Sequence, residues 1–204
     1  MLESGPGRVR APANNLRATT VFLYVDAETI EQARGGGDAL EALIAQAWPD
    51  AYRVALVILR DRDLAQDAAQ EACIALTRSL HRLETPAAFA AWMYRIAVRC
   101  ALDAARARKR HASFEGVADQ NVVSDPTEAI DLYDALASLA PVQRAVLLLH
   151  YYAGFRSHEI AAAIGVLPPT VRFHLMRARR RLRAALDAPA RAQVSYNEVI
   201  SNAD

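Results

Sequence analysis

Apolar residues recur three and four positions apart along this chain, and that spacing restricts its regular parts to amphipathic helices. The clearest stripe is Phe89, Met93, Ile96 and Cys100, spaced four, three and four. Leu64, Ala68, Ala72 and Leu76 make a second, and Val171, Leu175, Ala178 and Leu182 a third. Punctuation between stripes sets the helix ends. Asp38 caps a helix carrying Leu40, Leu43 and Ile44; Trp48-Pro49 interrupts it, and another runs through Tyr52, Ala55, Leu56 and Leu59. The turn Asp61-Arg62-Asp63 offers Asp63 as the next N-cap. Thr85 caps a fourth helix with Pro86 at its first position, where a missing N–H is harmless. Pro141 opens a helix that turns Val142, Val146, Leu147 and Leu149 inward. Ser157 caps a short one with Ile160 and Ala163, and Gly165 ends it as a C′ glycine. The last helix runs from Thr170 to about Leu186.

The expected fold is all-α: two small helical domains joined by a flexible acidic linker, the second a helix-turn-helix of winged-helix-like kind. Residues 1–37 are expected to be a flexible extension, broken at Gly35-Gly36-Gly37, with Val21–Val25 as a short strand or docking segment. The first domain takes residues 38–110, the linker 111–126, the second domain 127–187 (its first helix about 127–139), and a flexible tail 188–204. A length of 204 residues, 53% of them hydrophobic, supports packed cores in both domains.

Net charge is only +1, but it is sharply partitioned. Residues 86–110 hold six basic groups and one acid, residues 111–135 six acids and no base, and residues 154–186 seven arginines and one glutamate. Two basic blocks flanking an acidic one are the footprint of a chain that binds a polyanion while its linker avoids it. Chance clustering on solvated faces is the plain alternative. Cys73 and Cys100 lack metal-ligand spacing and fall on apolar stripes, so they are expected to be buried thiols. No apolar run approaches the ~18 residues of a membrane span, and the first residues lack a signal-peptide pattern. A cytoplasmic address, with no membrane contact by this chain, is the expectation.

The helix after Gly165 carries Arg172, His174, Arg177, Arg179, Arg180, Arg181 and Arg183. A recognition helix touches base edges with its early residues and phosphates with later ones. Arg172 and His174 are therefore the expected base contacts, and Arg177, Arg180 and Arg181 the expected backbone contacts. In the first domain, Asp67, Gln70 and Glu71 share one helix face suited to an arginine-rich partner helix. Trp92 and Tyr94 lie in a basic helix where aromatics stack on unpaired bases; Trp92, three residues after Phe89, serves a core equally well.

Taken together these segments resemble the extracytoplasmic-function (ECF) sigma factors over residues 39–186. Leu139-Ala140-Pro141, Gln143-Arg144, Gly154, Ser157, Glu159-Ile160-Ala161 and Arg177-Ala178-Arg179 look like region 4. The resemblance implies −35 promoter contacts by Ser157, Thr170, Arg172, Phe173, His174, Arg177, Arg180 and Arg181, and packing on the flap of the polymerase β subunit. Ala65-Gln66-Asp67-Ala68-Ala69-Gln70-Glu71 is similar to region 2.2, which implies that Asp67, Gln70 and Glu71 grip the clamp helices of β′. Phe89, Trp92, Tyr94-Arg95-Ile96-Ala97 and Asp103 onward resemble regions 2.3 and 2.4. They imply −10 contacts by Trp92, Tyr94, Arg95, Arg99, Asp103, Arg106, Arg108, Lys109 and Arg110. The implied partners are RNA polymerase core, promoter DNA and an anti-sigma protein. The chain departs from the family's pattern at Arg99, where asparagine is frequent, at Leu167 and Pro169, frequently serine and glycine, and at Phe173 and His174. Phe173 can touch a thymine methyl or add to the core.

Enzymatic readings find no support. His158-Glu159 begins a zincin-like pair, but position 162 is alanine. No catalytic residue, metal or cofactor is expected. Two other readings compete with a sigma factor. A homodimeric helix-turn-helix regulator explains the last helix but not the first domain, and an adaptor binding only proteins leaves the arginines idle.

Overall fold

The computed structural model describes residues 25–115 and 135–201, and no strand occurs among them. Regular structure begins with α1 (Ala27–Arg34). Its cap is Asp26, whose carboxylate accepts the Thr29 N–H at 2.8 Å and the Thr29 hydroxyl at 2.9 Å. Those two bonds hold the Asp26 carboxyl below its ordinary pKa. Ile30 and Ala33 are buried, and Arg34 donates to the Leu83 carbonyl. The expected flexible extension to residue 37 is thereby corrected: two apolar residues one turn apart are enough to dock this helix on the core. Gly36 and Gly37, at φ +80° and +62°, make the reversal into the next helix, a conformation that side chains resist. Residues 1–24, and with them most of the expected strand, lie outside the described residues.

α2 (Gly37–Leu59) runs unbroken through Pro49, which corrects the interruption expected at Trp48-Pro49. Proline inside a helix costs about 3 kcal/mol. Against that cost stand Leu43 and Ala47 before it and Ala51, Val54, Ala55 and Ile58 after it, all buried in one core. Trp48 stacks on Tyr52 across the proline, ring centroids 5.3 Å apart and planes within 5°. By length and composition alone this helix is long and apolar enough to cross a membrane, contrary to the expected absence of such a run. Here its apolar stripe packs against α3 and α4.

Arg60, at φ +55°, closes α2. Asp61, not Asp63, caps α3 (Arg62–Ser79), accepting the Leu64 N–H at 3.0 Å. Two 3₁₀ turns, Leu80–Arg82 and Pro86–Ala88, lead into α4 (Phe89–Glu115). Thr85 makes no side-chain capping bond there. α4 overruns the linker start expected at residue 111, and the linker after residue 115 lies outside the described residues. So does most of the helix expected at 127–139.

The second module comprises α5 (Pro141–Leu147), a π-helical turn at Leu148–Tyr152, α6 (Ser157–Ile164) and α7 (Pro168–Ser201). Its likeness to winged helices is confined to helices among the described residues. α6 is capped one residue earlier than expected: Glu159 Oε2 accepts the Arg156 N–H at 2.7 Å. Gly165, at φ +73°, makes the tight turn as expected. α7 continues through Pro189 to Ser201, correcting the tail expected to be flexible from 188; alanines at 184, 185, 188, 190 and 192 favour helix there.

The two modules are docked. α5 packs against α2 and α4, and α6 against α4. The junction centres on Arg144, only 5% exposed. Its Nε donates to the Ile58 carbonyl of α2 at 2.8 Å, and its Nη1 to the Leu139 and Leu136 carbonyls at 2.6 and 3.2 Å. Ile58 lies in the last turn of α2, where carbonyls lack helical partners and the helix dipole favours a cation. The two helical domains expected from the sequence are both present, and their buried residues form one continuous cluster.

Candidate polymerase and nucleic-acid interfaces

Three exposed faces carry the sequence-derived site residues. On α3, Asp67, Gln70 and Glu71 all reach solvent on one side, while Ala65, Ala68, Ala69, Ala72 and Leu76 are buried on the other. Ile74, 40% exposed, lies one turn beyond them. Sequence reasoning missed it because the neighbouring apolar positions pointed inward. The face is thus an acidic and amide surface with one apolar residue.

α4 presents a basic face. Arg95, Arg99, Asp103, Arg106, Lys109 and Arg110 are exposed or half-buried along it. Arg106 and Asp103 pair at 2.6 Å in the open, which partly neutralises two expected DNA contacts. Two others are placed differently. Tyr94 is 1% exposed and packed among Met93, Ala97 and Val98 of the core stripe. Burial, then the neighbouring Tyr152 and Asp50, push its phenol above the ordinary tyrosine range. A ring so enclosed cannot stack on a base without leaving the core, so Tyr94 is corrected to a core residue. Arg108 turns back to Asp61 at 3.6 Å and ties α4 to the start of α3. Trp92 is half-buried, its ring 6.1 Å from that of Phe89; core packing and partial access coexist.

Cys73 is buried as expected, whereas Cys100 is half-buried. Burial raises both thiols, and for Cys100 the nearby Asp103 and Glu71 add to it, to about 11. Neither is poised as a thiolate at neutral pH.

The third face belongs to α7. Val171, Leu175 and Ala178 are buried, with Leu182 packed beside them, as the stripe requires. Arg172, Phe173, Arg177 and Arg180 are exposed; Ser157 and Thr170 are half-buried near the starts of their helices. Arg181 reaches back to the Ser138 carbonyl and the Gln143 side chain, both at 3.3 Å, and so braces α7 against the start of α5. That placement corrects its expected role as a free phosphate contact. His174 is half-buried, and its Nδ1 is enclosed with no hydrogen-bond partner among the described residues. Burial, then the Arg177 charge, lowers its pKa. Only part of this ring is available to a base.

On one flank of α7 an open cleft of about 550 Å³ is lined by Arg172, Arg179, Arg180 and Arg183 together with Leu175 and the edge residue Met176, with Ser157 and His150 on its far wall. The π turn contributes His150 to this wall, and α6 contributes Ser157. The turn also sets Tyr151 beneath the Arg179 guanidinium, 5.3 Å from ring centre to charge, and the His150 ring nitrogen against the Phe155 carbonyl at 3.2 Å. Four arginines beside the first residue of a helix make a local field that attracts phosphate oxygens.

Comparison with known proteins matches each module to a family. Residues 43–111 match the family model for Sigma-70 region 2, and residues 129–182 that for Sigma-70, region 4. The RNA polymerase sigma factor CarQ of Myxococcus xanthus is 31% identical over 159 residues, which cover 74% of this chain and 91% of the relative. The "Probable RNA polymerase sigma factor RfaY" of Xanthomonas campestris pv. campestris is 29% identical over 185 residues, 84% of this chain but only 46% of the relative, so this chain spans less than half of that protein. Among solved structures, the sigma factor RpoE in complex with the anti-sigma factor NepR from Bartonella quintana has the same fold, with a TM-score of 0.62 at 23% identity over 74% of this chain and 98% of that one.

Proposed function

Because the chain belongs to the ECF group of the sigma-70 family of RNA polymerase initiation factors, we propose that it binds polymerase core through α3 and directs it to promoters through α4 and α7. The observation that carries this reading is the sorting of charge onto separate exposed faces of one chain. Of the three faces, only that of Asp67, Gln70 and Glu71 is acidic and amide in character, and Arg95, Arg99 and Arg106 of α4 and Arg172, Arg177 and Arg180 of α7 are exposed to solvent. The first face suits basic helices of a partner protein. The other two suit DNA, and counterion release from phosphates makes such binding strong and salt-dependent.

In this reading Arg95, Arg99, Lys109 and Arg110 hold the −10 region, with Trp92 as the aromatic near enough to the surface to stack on an opened base. Arg172, Arg177 and Arg180 hold the −35 duplex, and the cleft beside Ser157 takes its backbone phosphates. The protein performs no reaction of its own; nucleotide addition belongs to the polymerase, and the place of work is the cytoplasm. The RpoE structure was solved with an anti-sigma factor, and an anti-sigma partner is proposed here as well. A homodimeric operator-binding regulator is not favoured, since both modules match sigma regions.

The test is run-off transcription with purified core polymerase. The full chain should support initiation from specific start sites with no other initiation factor. Reversing charge with Asp67→Lys and Glu71→Lys should weaken core binding at least about tenfold, a difference of roughly 1.4 kcal/mol, while the circular dichroism stays helical. Unchanged core affinity in that variant removes the α3 assignment, and no association of the unaltered chain with core removes the whole reading.

A further inference from the structure

The recognition helix wears large apolar side chains on its outside. Its buried residues Val171, Leu175 and Ala178 define the inward direction. At 3.6 residues per turn, the ridge pointing most directly away from the core is Pro169, Phe173, Met176 and Arg180. Pro169 is exposed, Phe173 is 49% and Met176 60% exposed, and Leu167 in the preceding turn is 71% exposed. Arg172 and Arg177 flank the ridge, so its first two turns are apolar in the middle and basic at the sides.

We propose that Phe173 and Met176 read the 5-methyl groups of thymines in the −35 duplex, so that apolar contact rather than an arginine–guanine pair sets the sequence preference under this ridge. The proposal rests on the sigma-factor reading above and names what its recognition helix selects. Three observations direct the ridge to DNA rather than to an apolar protein surface. First, the exposed side chains bordering it are cationic, and the single acid of residues 154–186, Glu159, is already bonded to the Arg156 N–H. Second, the ridge lies directly after the Gly165 turn, the part of a helix-turn-helix that reaches base edges. Third, the thymine methyl is the apolar group that B-DNA displays in its major groove. The Arg177 guanidinium lies 6.0 Å from the centre of the Phe173 ring, so a cation stands beside the ridge at this position. Arg180, which ends the ridge, and Arg172, which opens onto the cleft, fall where phosphates run.

The experiment uses holoenzyme assembled from the full chain and purified core. A library randomised across the −35 region is selected for binding, and each thymine of the selected element is then replaced singly by deoxyuridine. That exchange keeps base pairing and removes only the methyl. Burying one methyl predicts about fourfold tighter binding with thymine than with uracil. At one or more positions the uracil duplex should bind about fourfold more weakly, and Phe173→Ala or Met176→Ala should abolish that difference at its own position. The DNA change leaves the protein untouched, so misfolding cannot imitate the result. Equal binding of thymine and uracil duplexes at every position overturns the proposal, as does a uracil effect that survives in both alanine variants. A holoenzyme that selects no −35 sequence at all overturns the sigma-factor reading as well, which is a separate outcome.

Discussion

α4 and α7 are both basic helices proposed to contact DNA, yet they dispose of their large apolar residues in opposite ways. α4 turns Phe89, Met93 and Tyr94 inward and leaves arginines outside. α7 is anchored by smaller residues, Val171, Leu175 and Ala178, and leaves Phe173 and Met176 outside with its arginines. The difference teaches what each helix is held by. α4 belongs to a three-helix core with α2 and α3, and deep packing fixes its charged face. α7 rests chiefly on α5 and α6, so a shallow seat suffices and its bulk remains free for recognition.

The sharpest way to break this contrast is to truncate one aromatic from each helix. Tyr94→Ala should destabilise the protein by about 3–5 kcal/mol, the range for emptying a large buried aromatic site. Phe173→Ala should stay within about 0.5 kcal/mol of the unaltered protein, as exposed positions do. Urea unfolding followed by circular dichroism measures both. A stable Tyr94→Ala protein that fails only at promoter opening would restore Tyr94 to the DNA face.

The junction between modules is the next target. Arg144→Ala strips three carbonyls of a buried donor, and each unsatisfied buried group costs about 1–3 kcal/mol where water cannot take the donor's place. We expect a net destabilisation of about 2 kcal/mol, with faster amide exchange in α5 and at the end of α2. Faster exchange confined to the second module would mean that the Ile58 carbonyl contributes little and that the docking rests on apolar packing alone.

A gentler intervention sharpens the comparison at the level of charge. Replacing both Arg177 and Arg180 by alanine should lower the salt slope of −35 duplex binding by about 2, near 0.9 for each phosphate that is no longer neutralised. Arg181→Ala should leave that slope unchanged and cost stability instead, because its guanidinium is engaged by Ser138 and Gln143. Equal slopes for all three arginines would show that α7 does not divide its charges between DNA and scaffold.

Residue spacing made much of the fold and of the candidate faces legible, and the failures share a cause. The stripes at 89–100 and 171–182 correctly foretold which faces are buried, because a packed helix has one inward direction. Pro49 was misread because its cost is local and visible, whereas the core packing on both sides that outweighs it is tertiary. α1 was hidden because Ile30 and Ala33 form too short a stripe to stand out. Tyr94 was misassigned because a tyrosine among basic residues suits stacking and burial alike, and only the packing of α2 and α3 decides between them. The docking of the modules had no sequence signal: Arg144 sits in a motif that the family resemblance already explained.

His174 offers the smallest effect. Burial and the Arg177 charge lower its folded-state pKa below the ordinary histidine value of 6.5, so the fold favours the neutral ring. Below 6.5 the unfolded chain takes up a proton that the folded chain resists, so stability falls as the solution is acidified through that value and returns as pH rises above it. The fall ends once the folded-state ring is protonated as well. His174→Gln should flatten stability as the solution is acidified through 6.5 by a small but measurable amount, read as the difference in urea midpoint between the two proteins at each pH. If His174 were as open to water as Arg172, both proteins would show the same pH profile. The inward lean of this ring would then be refuted.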